Sequence, residues 1–289
     1  MRRLEAAPSA AILLVAARRS LAEFDAVHVV ACLRRLAVLK ASLPARLAKS
    51  AELTALVCRL RQDLADGSTG AFGAASAAWS AATLGPAVPA LLEAVPDIAA
   101  ACARLAPEMT AQGLATSAWS LAVLELREGQ EALEFLKALR TETSKRLLEF
   151  QAQDLAFTVW SFATLECSDG PLLEAIAAAS MLRIDEFKAK GLSNTAWAFA
   201  MLGVRHRPLM AALASQSAKR IHQFHPDDLA NTASSFVLWV SDALGEEEPK
   251  GLKSPRGRET SAIWKRKTST TTTTQGRETS IIWERKTTA

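Results

Sequence analysis

Apolar residues return along this chain on two nested rhythms. Within residues 154–165, Leu155, Val159 and Phe162 fall together when the chain is wound at about 100° per residue. Ala156 and Ala163 lie beside them, with Trp160 at the edge of the arc. Gln153, Phe157, Ser161 and Thr164 take the opposite side. This predicts an amphipathic helix with a wide apolar arc, as needed by a helix that packs on its own partner and on a next unit. The second rhythm is longer. The same pattern comes back as Leu114, Ala115, Trp119, Ser120, Leu121 and Leu124, and again as Leu192, Trp197, Phe199, Ala200 and Leu202. An Ala-rich copy carries Trp79 and Leu84, a late copy has Ser234 in the Trp slot, and a worn copy over residues 24–39 has Arg34 there. Trp79, Trp119, Trp160, Trp197 and Ser234 are 40, 41, 37 and 37 residues apart. Fixed periods of this size mark a stacked-repeat architecture.

A second helix follows each first one. Pro171, Leu172, Leu173 and Ile176 lead to Arg183 and Ile184, and Pro208, Leu209 and Leu213 lead to Arg220 and Ile221. Gly170-Pro171 and Arg207-Pro208 break the chain between helices, since proline is tolerated in a first turn and not inside a helix. Phe150, Phe187 and Phe224 precede each new first helix by one offset, and Pro226 sits at the first position of the last of them. Residues 51–60 read as the second helix of an earlier unit, ended by Asp66-Gly67-Ser68-Thr69-Gly70, since a glycine near a helix C-terminus supplies the left-handed cap. Near the start, Leu13 and Leu21 align with Ile176 and Ile184, which favours the second helix of a truncated repeat. An organellar presequence or a secretory signal behind Met1, Arg2 and Arg3 remains open. No apolar run is long enough to span a bilayer, so no membrane role is expected.

The chain is therefore read as all-α: an α-solenoid of about six helix-pair repeats with a disordered C-terminal tail. Residues 1–245 form the helical-repeat superhelix, with units starting near Phe24, Thr69, Met109, Phe150, Phe187 and Phe224. High Ala and Leu with few β-branched residues agrees with helix throughout. Residues 246–289 form the tail, basic and rich in threonine. It carries its own short repeat, Gly257, Arg258, Glu259, Thr260 and Trp264 recurring as Gly276, Arg277, Glu278, Thr279 and Trp283, with Thr270 to Thr274 between. Such a segment buries too little apolar surface to offset its ordering entropy.

Charge changes meaning once it is divided. The net charge is +4, but residues 250–289 hold 10 Lys/Arg against 3 Asp/Glu, leaving 24 against 27 in residues 1–249. The repeat body is mildly acidic and the basic balance belongs to the tail. A basic footprint for nucleic acid is thus weak in the repeats. Cys32, Cys58, Cys102 and Cys167 lie in apolar helical patterns with no paired spacing, so they are expected to act as small buried hydrophobes. His28, His206, His222 and His225 form no metal motif, and phosphate-loop, Gly-x-Ser-x-Gly and His-Glu-x-x-His patterns are absent. No cofactor, metal, small-molecule substrate or enzymatic activity is expected.

Candidate chemistry lies on the polar face of the first helices. One slot carries Phe72, Gln112, Gln153, Lys190 and Asp227, and another Ser76, Thr116, Phe157, Asn194 and Asn231. Side chains that recur on one surface while changing identity suit a modular reader of single-stranded RNA, one or two per base. Asn and Gln can donate to and accept from a base edge. The candidate RNA-binding residues are accordingly Gln112, Thr116, Gln153, Phe157, Lys190, Asn194, Asp227 and Asn231. An ordinary solvated face is the alternative. Trp79, Trp119, Trp160 and Trp197 are assigned to the repeat core, with stacking on unpaired bases as their alternative role.

The stretch containing Phe187, Leu192, Asn194, Thr195, Ala196, Trp197, Phe199, Ala200 and Leu202 resembles the first helix of the octotricopeptide repeats of algal organelle proteins. It is also similar to the heptatricopeptide repeats of apicomplexan and other alveolate organelles. Phe224, Pro226, Asp228, Leu229, Ala230, Thr232 and Ala233 resemble the same consensus. The resemblance covers about residues 10–240. It implies an α-solenoid that binds organellar RNA in the mitochondrion or chloroplast and affects transcript stability, processing, translation or ribosome assembly. Members often carry a RAP module, which is not recognisable here. The reading is an RNA-binding helical-repeat adaptor. A protein–protein scaffold of armadillo or HEAT type, cytoplasmic by default, is the alternative.

Overall fold

The computed structural model describes residues 7–40, 43–85 and 87–244. The tail expected to be disordered, residues 246–289, and the basic start at Met1, Arg2 and Arg3 lie outside the described residues. The helices run in the order α1 Ala10–Ser20, α2 Ala26–Val38, α3 Ala45–Ala48, α4 Ala51–Ala65, α5 Ala71–Leu84, α6 Pro89–Glu93 and α7 Val95–Leu105. They continue with α8 Ala111–Val123, α9 Gln130–Arg146, α10 Ala152–Thr164, α11 Gly170–Leu182, α12 Ala189–Met201, α13 Arg207–Lys219 and α14 Pro226–Leu244. The first helices are α2, α5, α8, α10, α12 and α14. Each packs most closely on the first helix before and after it, and the second helices α1, α4, α7, α9, α11 and α13 form a second layer behind them. This is the expected α-solenoid. The periodic pattern did not anticipate the short α3 and α6, which lengthen two early connections.

Every junction from a second helix to the next first helix except that between α4 and α5 is built the same way. A single 3-10 turn ends the second helix at Ala106–Glu108, Leu147–Glu149, Ile184–Glu186 and Ile221–Gln223. Met109, Phe150, Phe187 and Phe224 follow in extended conformation, and all but the half-buried Phe224 are sealed in the core. The first helix is then capped. Asp25 accepts from His28 N–H at 2.9 Å, Thr110 Oγ1 accepts from Gly113 N–H at 3.1 Å, and Asp154 accepts from Gln151 N–H at 3.1 Å. Such caps satisfy amide groups that the first turn leaves unpaired. At the far end, Cys167 N–H reaches Phe162 C=O at 2.8 Å and Val204 N–H reaches Phe199 C=O at 3.1 Å. The residue inside each of these loops is left-handed: Gly203 has φ 64° and Glu166 has φ 58°. That arrangement is the six-to-one closure of a helix C-terminus.

Small residues let the first helices approach. A Cβ on Gly191 would stand 3.6 Å from Cβ of Ala156, and one on Gly73 would stand 3.7 Å from Val30. Leu155, Val159 and Phe162, with Leu192, Ala196 and Phe199, are sealed between the layers. Ser161 departs from the helical wheel, which puts it on the polar face, because it is fully buried. Its hydroxyl donates to Phe157 C=O at 2.6 Å, as Ser80 does to Ser76 and Ser120 to Thr116, both at 2.8 Å. A hydroxyl satisfied by its own helix can enter a close-packed seam that a larger polar group could not. Three of the cysteines follow expectation, with Cys32 and Cys102 buried and Cys167 half-buried. Cys58 does not: it is exposed, because Leu53, Leu56, Val57 and Leu60 take the core face of α4. No described helix is long and apolar enough to cross a membrane.

The second layer is fastened differently. Arg146 donates to Met109 C=O at 2.7 Å and to Ala106 C=O at 3.3 Å. Arg220 donates to Phe187 C=O and, at 2.6 Å, to Asp185 C=O. Arg183 donates to Leu148 C=O at 3.2 Å, and Arg104 to Leu64 C=O at 3.0 Å. Each guanidinium thus reaches back about one repeat to carbonyl groups at the end of the preceding second helix. The planar fork of arginine suits two neighbouring acceptors. At the N-terminal end, Arg35 of α2 binds Ala7 C=O through Nε and Nη2, at 3.1 and 2.8 Å. At the other end, α14 exposes Leu229, Ala230, Ala233, Ser234 and Val237, whose counterparts Leu155, Ala156, Val159, Trp160 and Ala163 are buried in α10.

Candidate nucleic-acid interface

The eight candidate residues all lie on first helices, at positions seven and three before the Trp slot. Residues three, four and seven apart share one helix face. The outer position holds Gln112, Gln153, Lys190 and Asp227, every one of them exposed. The inner position holds Thr116, Phe157, Asn194 and Asn231, every one of them half-buried. In α5 the outer position is Phe72 and the inner position is the buried Ser76. Because the first helices stack in sequence, these positions form a ladder along one surface of the layer. Trp79, Trp119 and Trp197 are half-buried behind it, while Trp160 is only 5% exposed. All four tryptophans pack on the hydrophobic core. The indoles of Trp160 and Trp197 stand 6.4 Å apart at an interplanar angle of 32°. The ladder of rings is therefore part of the seam between units, and its outer edges still meet solvent in three units.

A pocket opens on the ladder between two neighbouring first helices. Between α5 and α8 it is lined by Phe72, Ser76 and Trp79 of one helix and Gln112 and Thr116 of the other, together with Glu108, Met109 and Thr110. Arg34, which occupies the Trp slot of α2, also lines it and holds its guanidinium carbon 5.1 Å from the centroid of the Phe72 ring. The structure thus brings Gln112 and Thr116 together with two residues outside the candidate set, Phe72 and Arg34. The sequence placed each in its slot but had no signal for their contact, which joins different slots of neighbouring units. Charges along the ladder are mixed: Arg34 and Lys190 are basic, Glu108 and Asp227 acidic. No group of three or more His, Cys, Asp or Glu side chains poised to hold a metal ion occurs among the described residues.

Two helix-start carboxylates are shifted in opposite directions, one by burial and one by a hydrogen bond. Asp154, at the start of α10, is buried, and desolvation pushes its carboxyl above the usual range despite the Gln151 amide. Asp169, at the start of α11, is held below that range by the hydrogen bond from Arg140, helped by Leu172 N–H at 3.2 Å. Neither faces the pocket. Both are helix-start groups whose chemistry is structural.

A family model described as RNA-editing substrate-binding complex 6 protein matches residues 93–239, just over half of the chain. The matched stretch runs from the end of α6 into the last turns of α14 and includes all eight candidate residues. No curated protein matches the chain.

Proposed function

The chain belongs to the RNA-editing substrate-binding complex 6 protein family, and from that premise we propose that it is a non-catalytic adaptor that holds single-stranded RNA along its ladder of first helices. The observation that carries this reading is the ladder itself: exposed Gln112, Gln153, Lys190 and Asp227 in register along one stacked surface, with indoles behind the first three. A surface of this kind offers one or two side chains per unit to a base edge, which is how modular helical repeats read unpaired RNA. The family description supports work on an RNA substrate beside other proteins. The resemblance to octotricopeptide and heptatricopeptide repeats supports the finer placement in that repeat class and in a mitochondrion or chloroplast. In this reading the protein has no catalytic residue of its own and no cofactor; it positions RNA for others.

Replacing Asn194 and Asn231 by Ala tests the reading. Both are half-buried at most, so helicity by circular dichroism should hold. Affinity for a preferred RNA, found by crosslinking and sequencing what is bound, should fall more than affinity for an unrelated one. Removing residues 250–289 should instead weaken all RNAs alike and flatten the salt dependence, since a basic tail offers only charge. If loss of the tail abolishes binding and the Asn substitutions change nothing, the ladder does not read RNA. A protein scaffold is then the better reading, and it has its own support in the acidic body and in the exposed apolar row Leu229, Val237 and Val240 of α14.

A further inference from the structure

Phe72 is an anomaly of the ladder. It holds the position where four other units carry Gln112, Gln153, Lys190 and Asp227, and its side chain is 69% exposed. It contributes little to the core, yet its ring is not left to turn freely. Arg34 stands over one face at 5.1 Å, close enough for the guanidinium to meet the π-face. Arg34 can do this because it replaces tryptophan in the slot of α2. The two departures from the repeat pattern, one in each of two neighbouring units, are therefore one feature of the structure.

The space beside that ring is small and chemically mixed. The pocket measures about 130 Å³ and opens to solvent. An apolar cavity of about 150 Å³ accepts a single benzene ring, so this one suits one planar ring entering from the open side. Its lining includes the aromatic residues Phe72 and Trp79, the small Ser76, and the polar residues Gln112 and Thr116. Aromatic faces with amide and hydroxyl groups at their edge are what an unstacked base requires: a ring to lie on and donors and acceptors for its polar rim. A phosphate fits less well, since Glu108 offsets the charge of Arg34 and leaves the lining with no net positive charge. Phe72 and Arg34 both precede residue 93, outside the stretch that the family match covers.

We infer that the pocket between α5 and α8 holds one unpaired nucleobase of a single-stranded RNA, stacked on Phe72, with Gln112 and Thr116 meeting its edge. This rests on the RNA-binding reading above and adds a fixed point to it, one unit junction at which a base leaves the strand and stacks on protein. Arg34 acts as a positioning residue that presents the ring.

The test uses the full chain and an unstructured RNA of about 12 nucleotides, with 2-aminopurine replacing one base at each position in turn. For the wild-type protein, one or two adjacent positions should lose fluorescence on binding, as a stacked 2-aminopurine does. Phe72→Ala and Phe72→Leu should weaken binding roughly 5- to 150-fold, the range for loss of one stacked base, and abolish that quenching. Phe72→Trp should retain both. The salt dependence should stay the same in all three variants because no phosphate contact is lost, and the thermal midpoint should not move. If the wild type binds RNA but Phe72→Ala binds equally well and quenches equally, the pocket inference falls and the ladder reading stands. A changed salt slope in Phe72→Ala would also overturn the inference, by showing that Phe72 serves a phosphate contact of Arg34. If the wild type binds no single-stranded RNA, both fall together.

Discussion

The two helical layers solve the same stacking problem in different ways. In the first-helix layer, neighbours approach closely at Gly191, Ala156, Ala196 and hydroxyls folded back on their own helix, and large rings such as Trp160 and Phe162 fill the rest of the seam. In the second-helix layer, long side chains bridge the gap, and the repeated device is an arginine reaching the carbonyls of the unit before it. A close-packed seam tolerates few sequences, because one added methylene is felt across it. A tether to backbone carbonyls asks nothing of the residues it grips. That contrast accounts for the near-repetition of the first helices and the freedom of the second.

Removing apolar volume from the first layer should do the most damage. Phe162 is fully buried, and Phe162→Ala should cost about 3–5 kcal/mol, read as a lower urea midpoint. A tolerated substitution there would break the comparison, since it would mean the seam is loosely filled. The arginine tether comes next. Arg146 is partly buried and binds two carbonyls, so Arg146→Ala should cost about 2–3 kcal/mol. Arg146→Lys should recover only part, because an ammonium cannot fork between both oxygens. Full rescue by lysine would reduce the tether to a matter of charge.

The smallest effects separate the layers by pH. Asp169, held low by Arg140, contributes stability above the ordinary carboxylate pKa of 3.8 and loses it as pH falls through its lower folded value. Asp169→Ala should cost about 1–2 kcal/mol at neutral pH, mostly as a lost cap, and the difference should shrink in acid. Asp154 runs the other way. Its folded pKa lies above 3.8, so its charge opposes folding at neutral pH, and that penalty disappears as pH falls through the folded value to 3.8. Asp154→Asn keeps an oxygen to accept from Gln151 N–H, so it should change neutral stability by less than about 1 kcal/mol, toward greater stability. Denaturant unfolding from pH 3 to 7, an ordinary carboxylate range, measures both; matching trends for the two variants would contradict the opposed environments.

Most of the first layer was legible because its constraints are local and periodic. Leu155, Val159 and Phe162 announce one helix face, Trp119, Trp160 and Trp197 announce the period, and Phe150, Phe187 and Phe224 mark the joints. The tethers were not read, although Arg146, Arg183 and Arg220 each stand four residues before those phenylalanines. Their partners are carbonyl oxygens, which every residue has and no sequence marks. Ser161 was misplaced for a related reason, its hydroxyl being satisfied by a backbone group of its own helix. The ladder positions followed from helical spacing alone. The pocket at Phe72 did not, because it depends on a contact with Arg34 across a unit boundary.

The equal spacing of Trp160, Trp197 and Ser234, 37 residues each time, has a consequence for how such a chain can change its length. Residues 187–223 carry their own joint at Phe187 and their own tether in Arg220, which grips Phe187 inside the stretch and Asp185 just before it. A tandem copy of that segment would bring every fitting it needs and meet a neighbour it already matches. In-frame duplication would then extend the molecule by one rung, leaving the rest of the stack in register, and under the proposed function it would lengthen the footprint on RNA by one step. The length of the stacked surface is, for this architecture, a number that recombination can count up or down.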